Sequence, residues 1–173
     1  MAPDHVQPFA DFDANVGGPA IVQTGDGLYT LAVPTSNLEG AGWISFYTVQ
    51  CFDDLPCDAP TSARTLASRT GRAPTIVRVG SLRNGYALVS IEPGVSGPEA
   101  HLYLLDSNWQ DVSDDVALPI VTTPGEQIVA VQMGSVFDSD DLTATVVVAA
   151  LLRTETTTTD RIWLGGYRAC ITR

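Results

Sequence analysis

Two cysteines six positions apart carry the most reactive side chains in this sequence. Cys51 and Cys57 flank an acidic loop, residues 52–56, which ends in a proline. In an oxidising compartment this spacing predicts a small loop disulfide, with free thiols as the open alternative. A zinc site would need further ligands, which only Cys170 and the two histidines could supply. We interpret Cys170, which has no histidine near it in sequence, as a small buried apolar residue.

Oxygen-bearing side chains at alternate positions form a second candidate site near the N-terminus. Asp11, Asp13 and Asn15 precede an apolar segment, and alternating oxygen ligands suit a hard cation. Residues 9–15 resemble the start of an FG-GAP-type calcium loop, which implies that these three residues are calcium ligands. Val16 stands where that family has its turn glycine, and Pro19 replaces the last ligand. A polar turn without a metal is the alternative, and no other cofactor is predicted.

Aromatic residues at turns and strands are candidates for contact with a ligand. Trp109 lies in a predicted turn flanked by acidic residues, where an exposed indole could stack on a sugar or anchor a protein partner. Together with Tyr29 and Tyr86 it forms our predicted ligand or partner contact. The chain contains three similar segments in succession, and Trp43 and Trp163 occupy equivalent strands in the first and third of them. We expect both tryptophans to pack in the core.

Catalytic patterns are weak throughout the sequence. Residues 94–98 contain a serine between glycines but lack the Gly-x-Ser-x-Gly spacing of a nucleophile elbow. Residues 106–109 lack the glycine and threonine of the Asp box that marks sialidase-type propellers. We interpret His101 as structural or half-exposed. The three carboxylates of the acidic run at residues 137–141 could hold Ca²⁺, but we interpret this run as a solvated turn between strands. The sequence therefore predicts a protein that is not an enzyme.

Charge and hydropathy narrow the classes of partner. The 173 residues carry a net charge of −11, and all nine basic residues are arginines. This balance excludes binding to a row of phosphates or to an anionic membrane surface. The longest dense apolar stretch, residues 142–152, is too short to span a bilayer. The apolar content is high enough for a sizeable core, and we expect a single domain over residues 1–173.

The elements that must position these residues are predicted to be β-strands. The sequence is rich in valine and threonine, and 15 glycines and 11 prolines punctuate it. Ser139 could begin a helix, with Asp140 and Asp141 in its first turn. However, β-branched side chains dominate residues 143–148 and are unfavourable in helices. We therefore interpret residues 143–152 as a buried strand.

A threefold internal repeat of roughly 55 residues organises the chain. The units cover about residues 17–70, 71–123 and 124–173. Each unit has a short apolar strand, a turn, a second strand and an aromatic third strand. The predicted first three strands are residues 18–22, 28–33 and 43–47; 73–80, 86–90 and 101–105; and 126–131, 143–148 and 161–164. Residues 64–67 and 116–120 are predicted fourth strands, and the third unit has no clear one.

Four short antiparallel strands per unit resemble the blades of a β-propeller, in particular the degenerate repeats of bacterial surface proteins. The resemblance implies an all-β chain of three four-stranded blades, with residues 4–12 as a possible closing strand. Three blades cannot close a ring, so the chain would be half of a six-bladed propeller or a fragment of a larger one. A β-trefoil is the alternative architecture. Open blade faces at the two ends would be apolar.

This resemblance implies a binding or scaffolding role. Our leading hypothesis is a non-catalytic module that self-associates as a homodimer to complete the ring; a companion propeller fragment is the other partner considered. A carbohydrate-binding lectin is the alternative function, and a glycan hydrolase is less favoured. The cysteine pair, the absence of lysine and the threonine run at residues 156–159 favour an extracellular or cell-surface location. The N-terminus lacks the pattern of a signal peptide, which leaves a cytoplasmic location open.

Overall fold

The chain folds entirely into β-structure in the parts that can be described. A computed structural model describes residues 19–36, 42–51, 57–59, 61–66, 72–79, 85–95, 97–112, 114–137, 143–154 and 160–170. These ranges contain eleven strands and no helix. The prediction of an all-β chain is therefore confirmed. No helix in these ranges is long and apolar enough to cross a membrane.

The eleven strands form three antiparallel sheets, each built from consecutive strands. The strands are β1 (Ala20–Gly25), β2 (Leu28–Ser36), β3 (Gly42–Gln50), β4 (Thr61–Leu66), β5 (Arg72–Val79), β6 (Gly85–Gly94), β7 (Gly97–Leu105), β8 (Val116–Ala117), β9 (Glu126–Phe137), β10 (Thr143–Thr154) and β11 (Arg161–Cys170). Sheet 1 has the order β1-β2-β3-β4, sheet 2 the order β5-β6-β7-β8, and sheet 3 the order β11-β10-β9. Each sheet is thus a three-stranded meander, and the edge strands β4 and β8 extend sheets 1 and 2.

The strands lie where the threefold repeat predicts them, but the fourth, edge strands differ from their predicted lengths. Residues 143–152 form a strand rather than a helix, as predicted, and lie within β10. The predicted fourth strand at residues 116–120 is shorter than expected, since β8 contains only Val116 and Ala117. Leu118 still donates its backbone N–H to Ala100 at 2.8 Å. Ile120 then donates its backbone N–H to the carbonyl of Leu118 at 2.7 Å, so the chain turns after Leu118 and the strand ends there.

Sheet 2 is the middle layer of a stack of three. We call the side of each sheet that faces the next sheet in chain order its front, and the opposite side its back. Along β6, successive side chains point to opposite sides. Ala87 and Val89 pack with sheet 3, whereas Tyr86 and Leu88 pack with sheet 1. The back of sheet 1 and the front of sheet 3 are therefore the two ends of the stack.

The sheets approach most closely along their first strands. The backbone of β5 lies beside both β1 and β9. Between sheets 1 and 2, small side chains such as Ala20 and Val22 occur on β1, whereas Phe46 on β3 and Tyr103 on β7 fill the space farther out. Because protein interiors are close-packed, this increase in side-chain volume requires the two sheets to diverge away from β1 and β5.

Candidate functional site

The front of sheet 3 is an open apolar surface. In β10 the even-numbered side chains from Ala144 to Leu152 are buried, and the odd-numbered ones point to the front. Their cross-strand partners on β11 include Ile162 and Leu164, whose exposed fractions are 68% and 69%. Val147 lies on the same side and is also exposed. Adjacent exposed aliphatic side chains of this kind mark interaction surfaces in soluble proteins.

Two arginines border this front at opposite ends. Arg153 forms a two-point ion pair with Asp160, with nitrogen–oxygen distances of 3.0 and 2.8 Å. The hydrogen bonds of this pair lower the pKa of Asp160 and raise that of Arg153. Arg168 is opposite Thr145, near the connection between β9 and β10, and is exposed. Exposed charges such as these contribute little to stability but add direction to an interface.

The back of sheet 1 contains an apolar hollow. Its volume is about 280 Å³, and its lining residues are Ile21, Tyr29, Leu31, Val49, Cys51 and Cys57. The first four share one side of the sheet, because Ile21 pairs with Leu31 and Tyr29 pairs with Val49. Ile21 is 62% exposed at the open side of the hollow. The hollow could accept aliphatic side chains but has few polar groups to orient a polar ligand.

Cys51 and Cys57, which follow β3, line one end of this hollow. Cys51 and Cys57 form a disulfide there, with their Cα atoms 4.1 Å apart. The backbone N–H of Cys51 donates to the carbonyl of Gly27 at 2.7 Å. Gly27 has a φ of +63°, and a Cβ at this position would lie 2.4 Å from the Cys51 carbonyl oxygen. The sequence therefore needs glycine at this turn so that the disulfide loop can lie against it.

Trp109 is buried, so the prediction that it is exposed on a turn is wrong. Its ring stacks between Phe46, at a centroid distance of 4.8 Å, and Tyr86, at 4.4 Å. The turn that carries it has a left-handed φ of 62° at Trp109, and the Asp106 carboxylate accepts the backbone N–H of Asn108. This local geometry directs the indole into the interface between sheets 1 and 2. With 6% of its surface exposed, it offers little contact area to a ligand.

The two tyrosines predicted beside Trp109 have different environments. Tyr86 is only 2% exposed and lies under Trp109, so it offers almost no surface for the predicted ligand contact. Tyr29 lies on the back of sheet 1, is partly exposed, and lines the hollow. The structure therefore leaves Tyr29 as the one member of this trio with an accessible surface. Trp163 packs against the core between sheets 2 and 3, as expected, and the Trp43 side chain lies outside the description.

A polar cluster lies on the back of sheet 2. Ser90 donates to Glu92 Oε1 at 2.7 Å, and the Tyr103 hydroxyl donates to the same oxygen. His101 Nδ1 lies 2.8 Å from Asp115 Oδ2. Ser90 is fully buried, and its hydroxyl already has a partner. These contacts satisfy polar groups within the stack, which agrees with a structural role for His101.

A second, smaller cavity lies where the chain passes from sheet 2 to sheet 3. It has a volume of about 190 Å³, and its lining residues are Gly97, Pro98, Glu99, Ala100, Leu118, Ile120, Thr122, Glu126 and Ile128. Arg161 donates to both carboxylate oxygens of Glu126, at 3.0 and 2.6 Å, and to the carbonyl of Val121 at 2.7 Å. These bonds, followed by the backbone N–H of Thr123, lower the Glu126 pKa from 4.5 to about 2. The Glu126–Arg161 ion pair therefore links β11 to the segment that connects sheets 2 and 3.

The predicted metal ligands lie outside the described residues. Asp11, Asp13 and Asn15 fall in residues 1–18, as does the expected closing strand at residues 4–12. The acidic run at residues 138–141 is also outside the description. Within the described ranges, no group of three or more histidine, cysteine, aspartate or glutamate residues is arranged to hold a metal ion.

Comparisons with known proteins leave the chain's own geometry as the basis for a functional assignment. No protein-family model matches the chain, and no curated protein matches its sequence. The geometry places two apolar surfaces, the front of sheet 3 and the hollow of sheet 1, at opposite ends of the stack. Sequence reasoning did not single out Ile21, Ile162 or Leu164. The available signal was that β10 is apolar at both odd and even positions, which is typical of a strand covered on both sides.

Proposed function

We propose that this chain is a non-catalytic binding or scaffolding module that self-associates, two copies completing a six-bladed β-propeller. The observation that carries the proposal is the open apolar front of sheet 3, with Ile162 and Leu164 more than two-thirds exposed. Monomeric proteins rarely leave adjacent aliphatic side chains in water, because burying them is favourable by about 25 cal/mol per Å². A second copy offers the hollow of sheet 1 as a surface to cover them.

The stacking of the sheets supports a propeller over a trefoil. β5 lies beside both β1 and β9, as expected if first strands line a common axis. Between sheets 1 and 2, the side chains on β1 are smaller than Phe46 on β3 and Tyr103 on β7, as expected if these two sheets fan out from their first strands. A trefoil barrel would share hydrogen-bonded strands between units, whereas each described strand pairs only within its own sheet.

Closure by two copies is the simplest assembly of this unit. A fan of three sheets supplies half of a six-membered ring, and closed two-fold dimers are the commonest homo-oligomers. A companion propeller fragment would also cover both ends, but it would require a second gene product with matching surfaces. The lectin alternative loses support, because Trp109 and Tyr86 are buried.

The native mass in solution tests this proposal. We expect light scattering behind a sizing column to give twice the 18.3 kDa chain mass for the wild type. Leu164→Asp, which places a charge on the open front, should give the mass of one chain. Val95→Asp is the matched control, because Val95 is fully exposed in the β6–β7 turn, away from both end faces. A monomeric wild type would overturn the proposal.

A further inference from the structure

The back of sheet 2 shows how the equivalent surface of sheet 1 can be covered. Two cross-strand pairs repeat at matching register positions in both sheets. These pairs are Leu31–Tyr47 and Tyr29–Val49 in sheet 1, and Leu88–Tyr103 and Tyr86–Leu105 in sheet 2. In sheet 2 all four side chains are buried, and the front of sheet 1 covers them. On sheet 1, Tyr29, Leu31 and Tyr47 are partly exposed and Val49 is buried, and all but Tyr47 line the hollow.

We infer that the hollow of sheet 1 receives the front of sheet 3 from a second copy of this chain, head to tail, with Ile162 and Leu164 as the principal anchors. The inference rests on the proposed function and names the contact that carries it. A two-fold axis then generates the contact twice, and the ring closes. The contact repeats the front-to-back packing that the chain already uses between sheets 1 and 2 and between sheets 2 and 3.

Side-chain chemistry supports a front of this type as the occupant. The hollow is lined almost wholly by apolar atoms, and the exposed side chains on the front of sheet 3 are aliphatic. On the front of sheet 1, Phe46 is buried at a position paired with Ala32; on the front of sheet 3, the exposed Leu164 is paired with Ala149. In each pair a large side chain lies opposite a small one, so the large side chain projects from the front of its sheet.

Charged residues at one end of sheet 3 and at the corresponding end of sheet 1 favour the same stacking direction between copies as within the chain. Arg168 lies at the end of the front of sheet 3 near the β9–β10 connection. Asp26, in the β1–β2 turn, and Asp58, beside the end of β3, are exposed at the corresponding end of sheet 1. Opposite charges therefore meet when the two sheets stack in the direction used within the chain. On the same back Val33, Ser45 and Val49 are already buried, so the accessible surface for the contact is supplied by Ile21, Tyr29 and Leu31.

Mixing two variants tests the head-to-tail arrangement. Leu164→Asp damages the front and Ile21→Lys damages the hollow, and both side chains are exposed enough for the chain to fold without them. Each variant alone lacks the contact at both places in the ring. Since hot-spot residues contribute about 2 kcal/mol or more, we expect the dissociation constant of each to rise by roughly 1,000-fold. A mixture retains one intact contact and one Asp–Lys contact, so the dimer should return.

The results separate this inference from the proposed function. Circular dichroism and urea unfolding check that both variants fold, with Val95→Asp as the control. Monomeric single variants and a dimeric mixture, measured by sedimentation velocity, would support the inference. A dimeric wild type whose Ile21→Lys variant stays dimeric overturns the inference alone. Monomeric singles whose mixture also stays monomeric overturn it too, because a mixed dimer would retain one intact contact, whereas a symmetric front-to-front contact would leave Ile21→Lys dimeric. A monomeric wild type overturns the proposed function, and the inference with it.

Discussion

The backs of sheets 1 and 2 carry matching side chains at matching positions but differ in what covers them. Leu88 is fully buried under the front of sheet 1, whereas the equivalent Leu31 is partly exposed beside a hollow. Trp109 fills the space over Tyr86, whereas the Cys51–Cys57 disulfide stands at the edge of the space beside Tyr29. For the two leucines the difference in burial follows the neighbouring sheet, whereas Val49 is buried on the back of sheet 1 as well. Since the described residues include no further sheet over the back of sheet 1, we expect its neighbour to come from another copy.

Truncating the two equivalent leucines should give the largest contrast. Leu88→Ala creates a cavity in the covered interface, so we expect a loss of about 2–5 kcal/mol in the free energy of unfolding. Leu31→Ala leaves a partly open site and should cost well under half of that in the isolated chain. Urea denaturation at low protein concentration measures both. Equal losses in the two variants would contradict the distinction between covered and open backs.

Removing the disulfide tests how much it contributes to folding stability and to the hollow on the back of sheet 1. In the double variant Cys51→Ser, Cys57→Ser the free energy of unfolding should be about 2 kcal/mol lower than in the wild type, which is the amount expected for a short closed loop. The double variant should also dimerise more weakly, because Cys51 and Cys57 line one end of the hollow. A reducing agent should have the same effect on the wild type and none on the double variant. An unchanged unfolding midpoint on reduction would show that the loop is held by its backbone hydrogen bonds alone.

The pH dependence of folding stability tests the role of the Glu126–Arg161 ion pair at the covered junction between sheets 2 and 3. The pKa of Glu126 is about 2 in the folded chain and 4.5 when unperturbed, so the unfolded chain binds the proton more readily. The stabilisation is complete above pH 4.5 and is lost as the pH falls towards 2. Glu126→Gln should remove this part of the acid sensitivity. Urea midpoints measured across this range check it, and identical pH profiles for variant and wild type would contradict the role.

Arg168 should have the smallest effect, and only on assembly. Arg168→Ala removes an exposed charge at the border of the front, so we expect the dimer dissociation constant to rise a few-fold, which corresponds to about 1 kcal/mol or less. The effect should shrink in high salt. Arg153→Ala is the control, because Arg153 lies at the opposite end of the front of sheet 3, away from the end that would face Asp26 and Asp58 of the second copy. Sedimentation at two salt concentrations compares them. An Arg153→Ala effect as large as that of Arg168→Ala would argue against the proposed orientation.

The sequence was sufficient to predict the strands and their grouping. Turn glycines such as Gly27 and the alternation of apolar residues separate the strands, and these signals are local. Residues 143–152 were correctly interpreted as a strand because β-branched side chains resist the helix. The short β8 could not be predicted in this way, because it ends in a turn in which Ile120 donates its N–H to the Leu118 carbonyl.

The environment of Trp109 could not be predicted, because it depends on distant residues. In sequence, Trp109 is surrounded by Ser107, Asn108 and Asp111, which together indicate an exposed turn. Its burial requires Phe46 from another sheet and a left-handed backbone conformation at Trp109 itself. The hollow of sheet 1 is likewise formed by residues from β1, β2, β3 and the disulfide loop. Sites built from several strands leave no local pattern in the sequence.

Hydroxyl-radical footprinting across a dilution series tests most directly whether the open back of sheet 1 is covered by the front of sheet 3. The method reports the exposure of individual side chains at concentrations above and below dissociation. We predict that Tyr29 and Leu31 become protected together with Ile162 and Leu164 as the concentration rises, while Val95 stays reactive throughout. If these four side chains have the same reactivity at every concentration, the two faces do not meet, and the account is wrong.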